Sequence, residues 1–330
     1  MTRAAVVGCG DISMVHLAAI EALGDVELVA VCDTDPGRGA AAGERHGVPV
    51  LDDHRRLLDE LRPDVVHVCT PHDQHAPVVL DCLDAGVAVL LEKPVAHTVA
   101  EARRVVAAAQ ARPEVKIGVC LQNRYNTPVQ ALRRLVDSGE LGALHGSSAS
   151  VTWHRTPDYY RARPWRGQRE RSGGGVLINQ AIHTLDLVQW LLGDVVGVTG
   201  RAGTYALADV VDVEDTASLV LDHDGGARSV FFATVAHAVD AAVTVDLAAE
   251  HATARLQQEL VVRWADGRVD TVGEESAPTA GRAYWGASHG RLIEDFYARL
   301  DDPEPFWIGP REALAALLVI DALYARGLDR

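Results

Sequence analysis

The stretch that decides the fold is RAAVVGCGDIS, residues 3–13. Its first part, Arg3–Cys9, is a nearly continuous apolar run, which predicts a strand buried on both faces. Gly8 permits a tight turn, and Gly10 lets the main chain approach a pyrophosphate closely. The small residue Ser13 opens a helix, and helix N-termini favour anions. The stretch therefore predicts a strand–turn–helix unit that binds a dinucleotide.

Apolar runs of similar length recur up to about residue 121, and helix-like segments separate them. The shortest run, Val48–Leu51, contains a proline and is expected at an edge of the sheet. The other runs are Val26–Cys32, Asp64–Cys69, Val87–Leu91 and Val115–Leu121. Strands that alternate with helices form parallel sheets covered on both faces. We therefore expect residues 1–121 to form a Rossmann domain, a doubly wound parallel α/β sheet.

A different pattern begins at residue 122. Helices are predicted near 128–137 and 179–192, successive strands from 195 to 264, and helices at 288–300 and 310–326. The strands alternate apolar and polar residues, so one sheet face is covered and the other is open. We expect residues 122–330 to form a substrate-binding α+β domain with a large open, mostly antiparallel sheet. Because that face needs covering, we also expect a homodimer or homotetramer packed through it.

Composition excludes several classes of protein. The 330 residues carry 31 basic and 46 acidic side chains, a net charge of −15, which disfavours nucleic acid and anionic membranes as partners. No apolar run approaches the ~20 residues that span a bilayer, and the N-terminus lacks a signal-peptide pattern. Five cysteines without a CxxC pair indicate free thiols in a reducing compartment. We expect a soluble cytoplasmic protein.

Asp33 ends the second predicted strand, at the spacing expected of an acid that binds a nucleotide ribose. A carboxylate accepts both ribose hydroxyls of NAD and repels the 2′-phosphate of NADP. The neighbouring acid, Asp35, stands before a proline and is explained equally well as a helix cap. The cofactor is therefore expected to be NAD rather than NADP.

The segment TPHDQH, residues 70–75, follows the fourth predicted strand. Its polar side chains fall at the carboxyl edge of the sheet, where ligands bind in such folds. Thr70, His72 and His75 are therefore expected to contact the cofactor, although helix capping explains the same residues. We expect no metal site, because two histidines three residues apart have no third ligand of matching spacing.

Glu92-Lys93-Pro94 follows the fifth predicted strand at the same edge. Lys93 and Lys116 are the only lysines in the chain, whereas arginine occurs 29 times. Lysine can lose its proton near neutral pH when partly buried, and arginine cannot. Lys93 is thus a candidate acid–base or hydroxyl-polarising group, although a lysine at a strand end often only reaches solvent.

The second domain contains GGGVLINQAIHTLD, residues 173–186. The glycines allow close backbone approach, and the helix that follows places Asn179 and His183 four residues apart on one face. Histidine is suited to take a proton from a hydroxyl, and Asp186 follows at a spacing that could orient its ring. From the residues alone, a core histidine without a catalytic role is the commoner explanation.

Arginines and aromatic residues crowd the stretch from Trp153 to Arg171. Such a loop can stack on a sugar ring and bind a carboxylate or phosphate, but an oligomer surface has the same composition. We expect Trp165 and Arg166 to contact cofactor and substrate, and Tyr160 and Arg163 to contact substrate.

These motifs in order resemble the glucose–fructose oxidoreductase, inositol dehydrogenase and rhizopine catabolism (Gfo/Idh/MocA) family. The similarity covers essentially the whole chain, including NRYN at 123–126 and HGRLIEDF at 289–296. It implies hydride transfer between NAD(P) and a sugar or cyclitol hydroxyl, with Lys93 and His183 as the catalytic pair. The chain departs from the family at Asn179, where an aspartate is common, and at His72, where an asparagine is usual.

The sequence therefore predicts an NAD-dependent dehydrogenase or reductase for a sugar, amino sugar, nucleotide-sugar or cyclitol. Two alternatives stay open: a glycoside hydrolase that oxidises its substrate transiently, and a non-catalytic regulatory relative that senses NAD or a sugar. The expected catalytic residues are Lys93, His183 and Asn179. The expected substrate contacts are Lys93, Arg124, Tyr160, Arg163, Asn179 and His183. The expected cofactor contacts are Gly8, Gly10, Asp11, Ile12, Asp33, Thr70, His72, His75, Glu92, Lys93, Gln122, Trp165 and Arg166.

Overall fold

A computed structural model of the chain describes residues 1–274 and 288–327, which divide into two compact units. Residues 1–122 and 288–314 form the first unit, and residues 123–274 and 315–327 form the second. The sequence placed everything after residue 121 in the second domain. In the structure, residues 288–314 count with the first unit because Phe296 and Phe306 pack against Gly118 of its sheet. Residues 275–287 and 328–330 lie outside the described residues.

Within the described residues, the sheet of the first unit has six parallel strands in the order β3-β2-β1-β4-β5-β6. This arrangement confirms the doubly wound sheet and the edge position of the strand expected in Val48–Leu51, which begins just after Pro49. The central strands β1, β4 and β5 are almost entirely buried, which explains their apolar sequences. The strands are β1 (Thr2–Val7), β2 (Val26–Cys32), β3 (Val50–Leu51), β4 (Val65–Val68), β5 (Ala88–Leu91) and β6 (Ile117–Val119).

The helices of the first unit begin and end at local signals. For example, Asp35 accepts a hydrogen bond from the Arg38 main-chain N–H at 2.9 Å and caps α2, with Pro36 in its first turn and Gly47 in the left-handed conformation at its end. The helices, numbered along the chain, are α1 (Ser13–Ala22), α2 (Pro36–His46), α3 (His54–Leu61), α4 (His75–Asp84), α5 (Val99–Ala111) and α10 (Ser288–Ala298).

In the described part of the second unit, eight strands form one sheet in the order β14-β13-β12-β11-β7-β10-β9-β8. β7 and β10 pair in parallel and the other neighbours are antiparallel, which confirms the mostly antiparallel sheet. The strands are β7 (Leu144–Thr152), β8 (Val195–Gly203), β9 (Thr216–His223), β10 (Arg228–Thr234), β11 (Thr244–Ala249), β12 (Ala252–Leu256), β13 (Leu260–Trp264) and β14 (Val269–Val272).

One face of this sheet is covered by the unit's own helices and the other is open. On β10, Phe231 and Ala233 are fully buried, whereas Val230 and Phe232 on the opposite face are 55% and 39% exposed. The helices are α6 (Thr127–Ser138), α7 (Pro157–Ala162), α8 (Arg169–Ser172), α9 (Ile182–Leu192) and α11 (Pro310–Tyr324), whose first turn counts with the first unit. No helix in residues 1–274 and 288–327 is long and apolar enough to cross a bilayer.

Candidate active site

The glycine turn after β1 has two differently constrained glycines. Gly8 has φ of +96°, and a Cβ there would lie 2.6 Å from main-chain atoms of Cys69, so packing requires glycine. At Gly10 an added Cβ would meet no atom within 4 Å. The protein's own packing therefore does not demand glycine at position 10, and the open space suits the close approach of a pyrophosphate.

The first turn of α1 is arranged to receive an anion. Asp11 is exposed and Ile12 half-buried in the turn, and Ile12, the N-cap residue, makes no side-chain hydrogen bond to the helix. The Ser13 hydroxyl instead donates to the Gly10 carbonyl at 2.6 Å. The Val15 N–H donates to the Ile12 carbonyl oxygen at 3.0 Å, and the N–H groups at the very start of the helix suit a phosphate, as a dinucleotide site needs.

The Asp33 carboxylate accepts four hydrogen bonds at this edge of the sheet. It accepts bonds from the main-chain N–H groups of Cys9 and Asp35, both at 2.8 Å. The Arg38 guanidinium donates to both carboxylate oxygens, at 3.1 and 2.9 Å. Burial alone would raise the pKa of Asp33, but the hydrogen bonds from Arg38, Asp35 and Cys9 outweigh it and lower that pKa. Asp33 is therefore a fixed anion.

Two buried polar atoms at the strand ends fit a bound cofactor. Thr70 Oγ1 follows β4 and Gln122 Oε1 follows β6, and neither has a hydrogen-bond partner among the described residues. Buried polar atoms are ordinarily satisfied, so these two suit a ligand that carries hydroxyl or amide groups.

His75, by contrast, is directed into the protein. Its ring is fully buried, with Nδ1 2.6 Å from the Pro94 carbonyl oxygen and Nε2 2.9 Å from the Thr70 carbonyl oxygen. Main-chain carbonyls therefore lie against both ring nitrogens, and the expectation that His75 contacts the cofactor stays a prediction. The neighbouring His72 is also buried, with its ring 5.6 Å from that of His75.

Lys93 and Glu92 follow β5 and face different surroundings. Lys93 is half-buried, as expected of a lysine that reaches a site. Glu92 is 5% exposed, and its Oε1 lies 3.1 Å from His16 Nε2 and 3.2 Å from His289 Nε2. Sequence reasoning placed Glu92 against the cofactor, but its carboxylate is bound within the first unit by these two histidines.

In the second unit, His183 and Asn179 share the accessible face of a buried helical segment. The chain forms a π-helical turn over Leu177–Ala181 and continues as α9. Every residue from 174 to 189 is buried except Asn179 and His183, which are half-buried. A core histidine would share the burial of its neighbours, so this pattern favours a functional role for His183. Single π-helical turns are also frequent at functional sites.

Asn179 holds the glycine loop that precedes this helix. Its Nδ2 donates to the carbonyl oxygens of Gly174 and Gly175, both at 3.2 Å. A side chain at Gly175 would overlap the main chain of Glu214, and one at Gly174 would overlap the Tyr324 ring. Gly174 and Gly175 are therefore required by packing inside the second unit.

Sequence reasoning missed Glu214, which anchors the start of the same segment. This fully buried carboxylate accepts the N–H groups of Gly175 at 2.8 Å and Leu177 at 3.0 Å. Burial raises the pKa of Glu214, and these hydrogen bonds partly oppose the increase. No local pattern marks Glu214, because its partners lie almost forty residues earlier in the chain.

Asp186 does not orient His183. It forms a buried two-pronged ion pair with Arg124, with N–O distances of 2.9 and 2.6 Å. Burial, partly opposed by Arg124, raises the pKa of Asp186. The Arg124 guanidinium also lies 5.2 Å from the centre of the Trp190 ring. The Arg124 guanidinium therefore neutralises Asp186 inside the unit, and the expectation that Arg124 binds substrate stays a prediction.

In the arginine- and aromatic-rich stretch, the side chains largely contact one another. Arg166 lies 4.7 Å from the centre of the Tyr159 ring and 5.6 Å from that of Trp165, and all three side chains are half-buried. Tyr160 is 3% exposed and packs edge-on against Tyr159, and its assignment as a substrate contact stays a prediction. Arg163 is half-buried and donates to the Ala162 carbonyl oxygen at 3.0 Å.

Comparison with known proteins connects both units to one group of enzymes. Residues 2–119 match the model of an oxidoreductase family with an NAD-binding Rossmann fold, and residues 129–255 match the GFO/IDH/MocA C-terminal domain. The D-apiose dehydrogenase of Paraburkholderia graminis is 32% identical over 69% of this chain and 59% of its own length. Inositol 2-dehydrogenase 2 of Saccharopolyspora erythraea is 33% identical over 67% of this chain and 63% of its own. The matches thus span about three-fifths of these curated relatives.

Solved structures match over nearly the full length. The WlbA dehydrogenase from Bordetella pertussis, in complex with NADH and UDP-GlcNAcA, is 29% identical with a TM-score of 0.84, covering 98% of this chain and 95% of that one. Levoglucosan dehydrogenase in complex with NADH and levoglucosan has a TM-score of 0.88 at 21% identity, covering 98% and 96%, a likeness of fold.

Proposed function

The chain belongs to the GFO/IDH/MocA oxidoreductase family, and on that premise we propose that it is an NAD-dependent dehydrogenase. Its substrate is a secondary hydroxyl of a sugar, amino sugar, nucleotide-sugar or cyclitol, or the matching ketone in reverse. The observation that carries the proposal is the strand order of the first sheet. It sets the glycine turn after β1, Asp33 after β2 and Lys93 after β5 along one carboxyl edge.

The residues of this edge fit NAD. The uncapped first turn of α1 and the open space at Gly10 would hold the pyrophosphate, and Asp33 would accept the adenosine ribose hydroxyls. The unsatisfied oxygens of Thr70 and Gln122 would bind the nicotinamide half of the cofactor. When bound, the nicotinamide ring supplies the hydride acceptor. Asp33 is a fixed anion and would repel a 2′-phosphate, which supports NAD over NADP.

We assign Lys93 and His183 different roles in the reaction of the substrate hydroxyl. The Lys93 ammonium polarises the oxygen and stabilises the negative charge that develops on it. The His183 imidazole accepts the hydroxyl proton and returns it when the reaction runs in reverse. Asn179 keeps the glycine loop closed against the His183 helix, and Trp165, Arg166 and Arg163 lie in the stretch that we assign to substrate and cofactor.

Turnover on a substrate panel tests the proposal. Purified protein is mixed with NAD or NADP and a set of sugars, inositols and nucleotide-sugars, and the absorbance of reduced nicotinamide is followed. We expect NAD to be reduced to NADH in the presence of at least one compound of the panel. Glycoside cleavage that needs no added cofactor, with no net reduction of NAD, would contradict it.

We also propose a homo-oligomer, dimer or tetramer, assembled through the open face of the second sheet. The exposed apolar side chains Val230 and Phe232 on that face support it. A cytoplasmic location is supported by the cysteines, since all five lie in the described residues as free thiols. A monomer by sedimentation at micromolar concentration would contradict the assembly.

A further inference from the structure

The carboxylate of Asp33, which we assign to the adenosine ribose, is already filled as a hydrogen-bond acceptor. The two oxygens of a carboxylate offer about four acceptor positions in total. Oδ1 accepts from the Asp35 N–H at 2.8 Å and from Arg38 Nη2 at 2.9 Å. Oδ2 accepts from the Cys9 N–H at 2.8 Å and from Arg38 Nε at 3.1 Å. The ribose hydroxyls therefore need positions that other donors occupy.

Two of these four donors belong to the main chain. The Cys9 N–H lies in the glycine turn after β1, and the Asp35 N–H lies in the residue that caps α2. Moving either of them would disturb the turn or the start of the helix. Each also fixes one oxygen of the carboxylate, so the orientation of Asp33 does not depend on Arg38. These two donors stay in place when a ligand binds.

The other two donors belong to the Arg38 side chain, which is able to leave. It is 42% exposed, whereas the side chain of Asp33 is 6% exposed. Its Nη1 also lies 3.4 Å from Oδ2 of Asp35, a carboxylate that is 45% exposed. A guanidinium that turns away from Asp33 therefore enters water and keeps a negative charge beside it. Arg38 is the member of this network that a ligand displaces most easily.

The two N–H groups of Arg38 stand where the ribose hydroxyls have to donate. Nε and Nη2 form a fork with one hydrogen bond to each oxygen of Asp33. The 2′- and 3′-hydroxyls of a ribose are likewise two adjacent donors, and the main-chain N–H groups leave them only the same two positions. Binding of the adenosine ribose is thus a competition with Arg38 for Asp33.

The displaced guanidinium lies next to the hydroxyls that replace it. In NADP the 2′-hydroxyl carries a phosphate, and guanidinium groups bind phosphates through charge-assisted hydrogen bonds. Asp33 alone repels this phosphate. Because Arg38 is held on Asp33 in the absence of a ligand, the repelling charge and an attracting charge are present at the same place.

We propose that Arg38 is a specificity-determining residue, which competes with the adenosine ribose for Asp33 and, once displaced, binds the 2′-phosphate of NADP. The competition weakens NAD binding, whereas the phosphate contact restores part of the affinity for NADP. The protein consequently discriminates between the two cofactors less strongly than Asp33 alone would, although NAD stays preferred. The inference rests on the proposed function, because it needs a dinucleotide at this edge of the sheet.

The test compares the full-length parent with Arg38→Met by isothermal titration calorimetry. Methionine keeps an unbranched side chain and removes the charge and the donors. We expect the Kd for NAD to fall by about fivefold, the size of one partly exposed ion pair. The Kd for NADP should rise, so that the ratio of the NADP Kd to the NAD Kd increases at least about tenfold. A ratio within about twofold of the parent, or weaker binding of NAD, would overturn the inference.

ADP and 2′,3′-dideoxy-ADP separate competition at the ribose from contact with the adenine. The dideoxy compound lacks both hydroxyls and leaves Arg38 on Asp33. Arg38→Met should strengthen the binding of ADP about fivefold and leave that of the dideoxy compound within about twofold. Equal changes for the two ligands, in either direction, would contradict the inference, because they would place the effect of Arg38 away from the ribose.

Arg45→Met is the matched control variant. Arg45 is exposed in the last turn of the same helix, and its substitution removes the same charge. Its Kd values for all four ligands should stay within about twofold of the parent, because the charge lies about 10 Å along the helix from Arg38. Changes as large as those in Arg38→Met would assign the effect to net charge and overturn the inference.

Arg38→Lys covers the case in which Arg38→Met does not fold. Lysine keeps the positive charge but cannot form the two-donor fork on a carboxylate. NAD should therefore bind about threefold more tightly than to the parent, while NADP binding stays within about twofold. Weaker binding of NAD to Arg38→Lys would show that the fork supports the cofactor rather than competing with it, and the inference would be wrong.

The parent protein separates failure of the inference from failure of the proposed function. A parent that binds none of NAD, NADP and ADP would refute the proposed function, and the inference with it. A parent that binds NAD, with the same affinities in Arg38→Met, would refute the inference alone.

Discussion

Replacing Asp33 with serine should move cofactor preference toward NADP. The parent carboxylate is 6% exposed at its side chain and is held rigidly by Arg38 and two main-chain N–H groups. At an effective dielectric constant of ~40, the carboxylate and a unit negative charge about 5 Å away repel each other by about 1.7 kcal/mol. A 2′-phosphate carries nearly two negative charges. Removing Asp33 therefore relieves about 3 kcal/mol, roughly a hundredfold in the ratio of kcat/KM for the two cofactors.

Arg38 adds to the same shift. Its guanidinium is paired with Asp33 in the parent, and in Asp33→Ser it can turn toward a 2′-phosphate. The assay is initial-rate kinetics with NAD and NADP at a fixed substrate. Asp35→Asn is the matched control, because Asp35 also contacts Arg38 but its side chain is 45% exposed. In this variant the ratio of kcat/KM for the two cofactors should stay within about twofold of the parent. A ratio in Asp33→Ser within about threefold of the parent would refute the assignment.

Three other outcomes follow from the structure. Arg124→Met should cost about 3–5 kcal/mol by leaving Asp186 buried without its counter-charge, and adding Asp186→Leu should recover most of it, as measured by urea denaturation. Glu92 has a folded pKa below its unfolded value of about 4.3, so the stability it contributes is present above that pH and lost as pH falls through the folded pKa. The urea midpoints of the parent and Glu92→Gln should accordingly converge below about pH 4. Phe232→Lys, on the open sheet face, should shift the sedimentation of the assembly toward monomer while Val230→Thr leaves it nearly unchanged.

The first sheet could be predicted because buried parallel strands have continuous apolar sequences. The apolar run beginning at Arg3 predicts β1 and the glycine turn after it. The proline in Val48–Leu51 predicts that this strand, β3, lies at an edge of the sheet. The helix-like segment expected before the last apolar run of the first domain is α5, and Thr98 caps its N-terminus by accepting from the Glu101 N–H at 3.2 Å. Local signals therefore determine most elements of the first unit.

The central strand β7 was missed because it lacks the apolar residues that mark a strand. Its sequence LHGSSASVT places serines opposite serine and threonine, and the Ser147 hydroxyl donates to that of Ser229 at 2.8 Å. A side chain at Gly146 would overlap the main chain of Arg228 on β10. Small residues are needed there for close strand packing, and single-sequence periodicity does not register that need.

Some site residues are marked by a local sequence pattern, whereas others depend on partners that are distant in the chain. Gly8 and Asp33 could be singled out in the sequence because each stands at the end of a predicted strand, whereas the partner of Asp186 is Arg124, sixty-two residues earlier. The two histidines that bind Glu92, His16 and His289, come from α1 and α10, so no spacing in the sequence predicts them. Partners in a buried network are set by the fold rather than by neighbours in the chain.

The catalytic pair gives the most direct test of the account. Lys93→Ala and His183→Ala are compared with the parent for thermal melting, NAD binding and turnover on the best substrate of the panel, with the exposed His145→Ala as control. We expect both catalytic variants to fold and bind NAD, to lose about 10²–10⁴-fold in kcat, and to combine with less than the product of their effects. His183→Ala that folds, binds NAD and turns over within about threefold of the parent, under about 1 kcal/mol of transition-state stabilisation, would contradict the account.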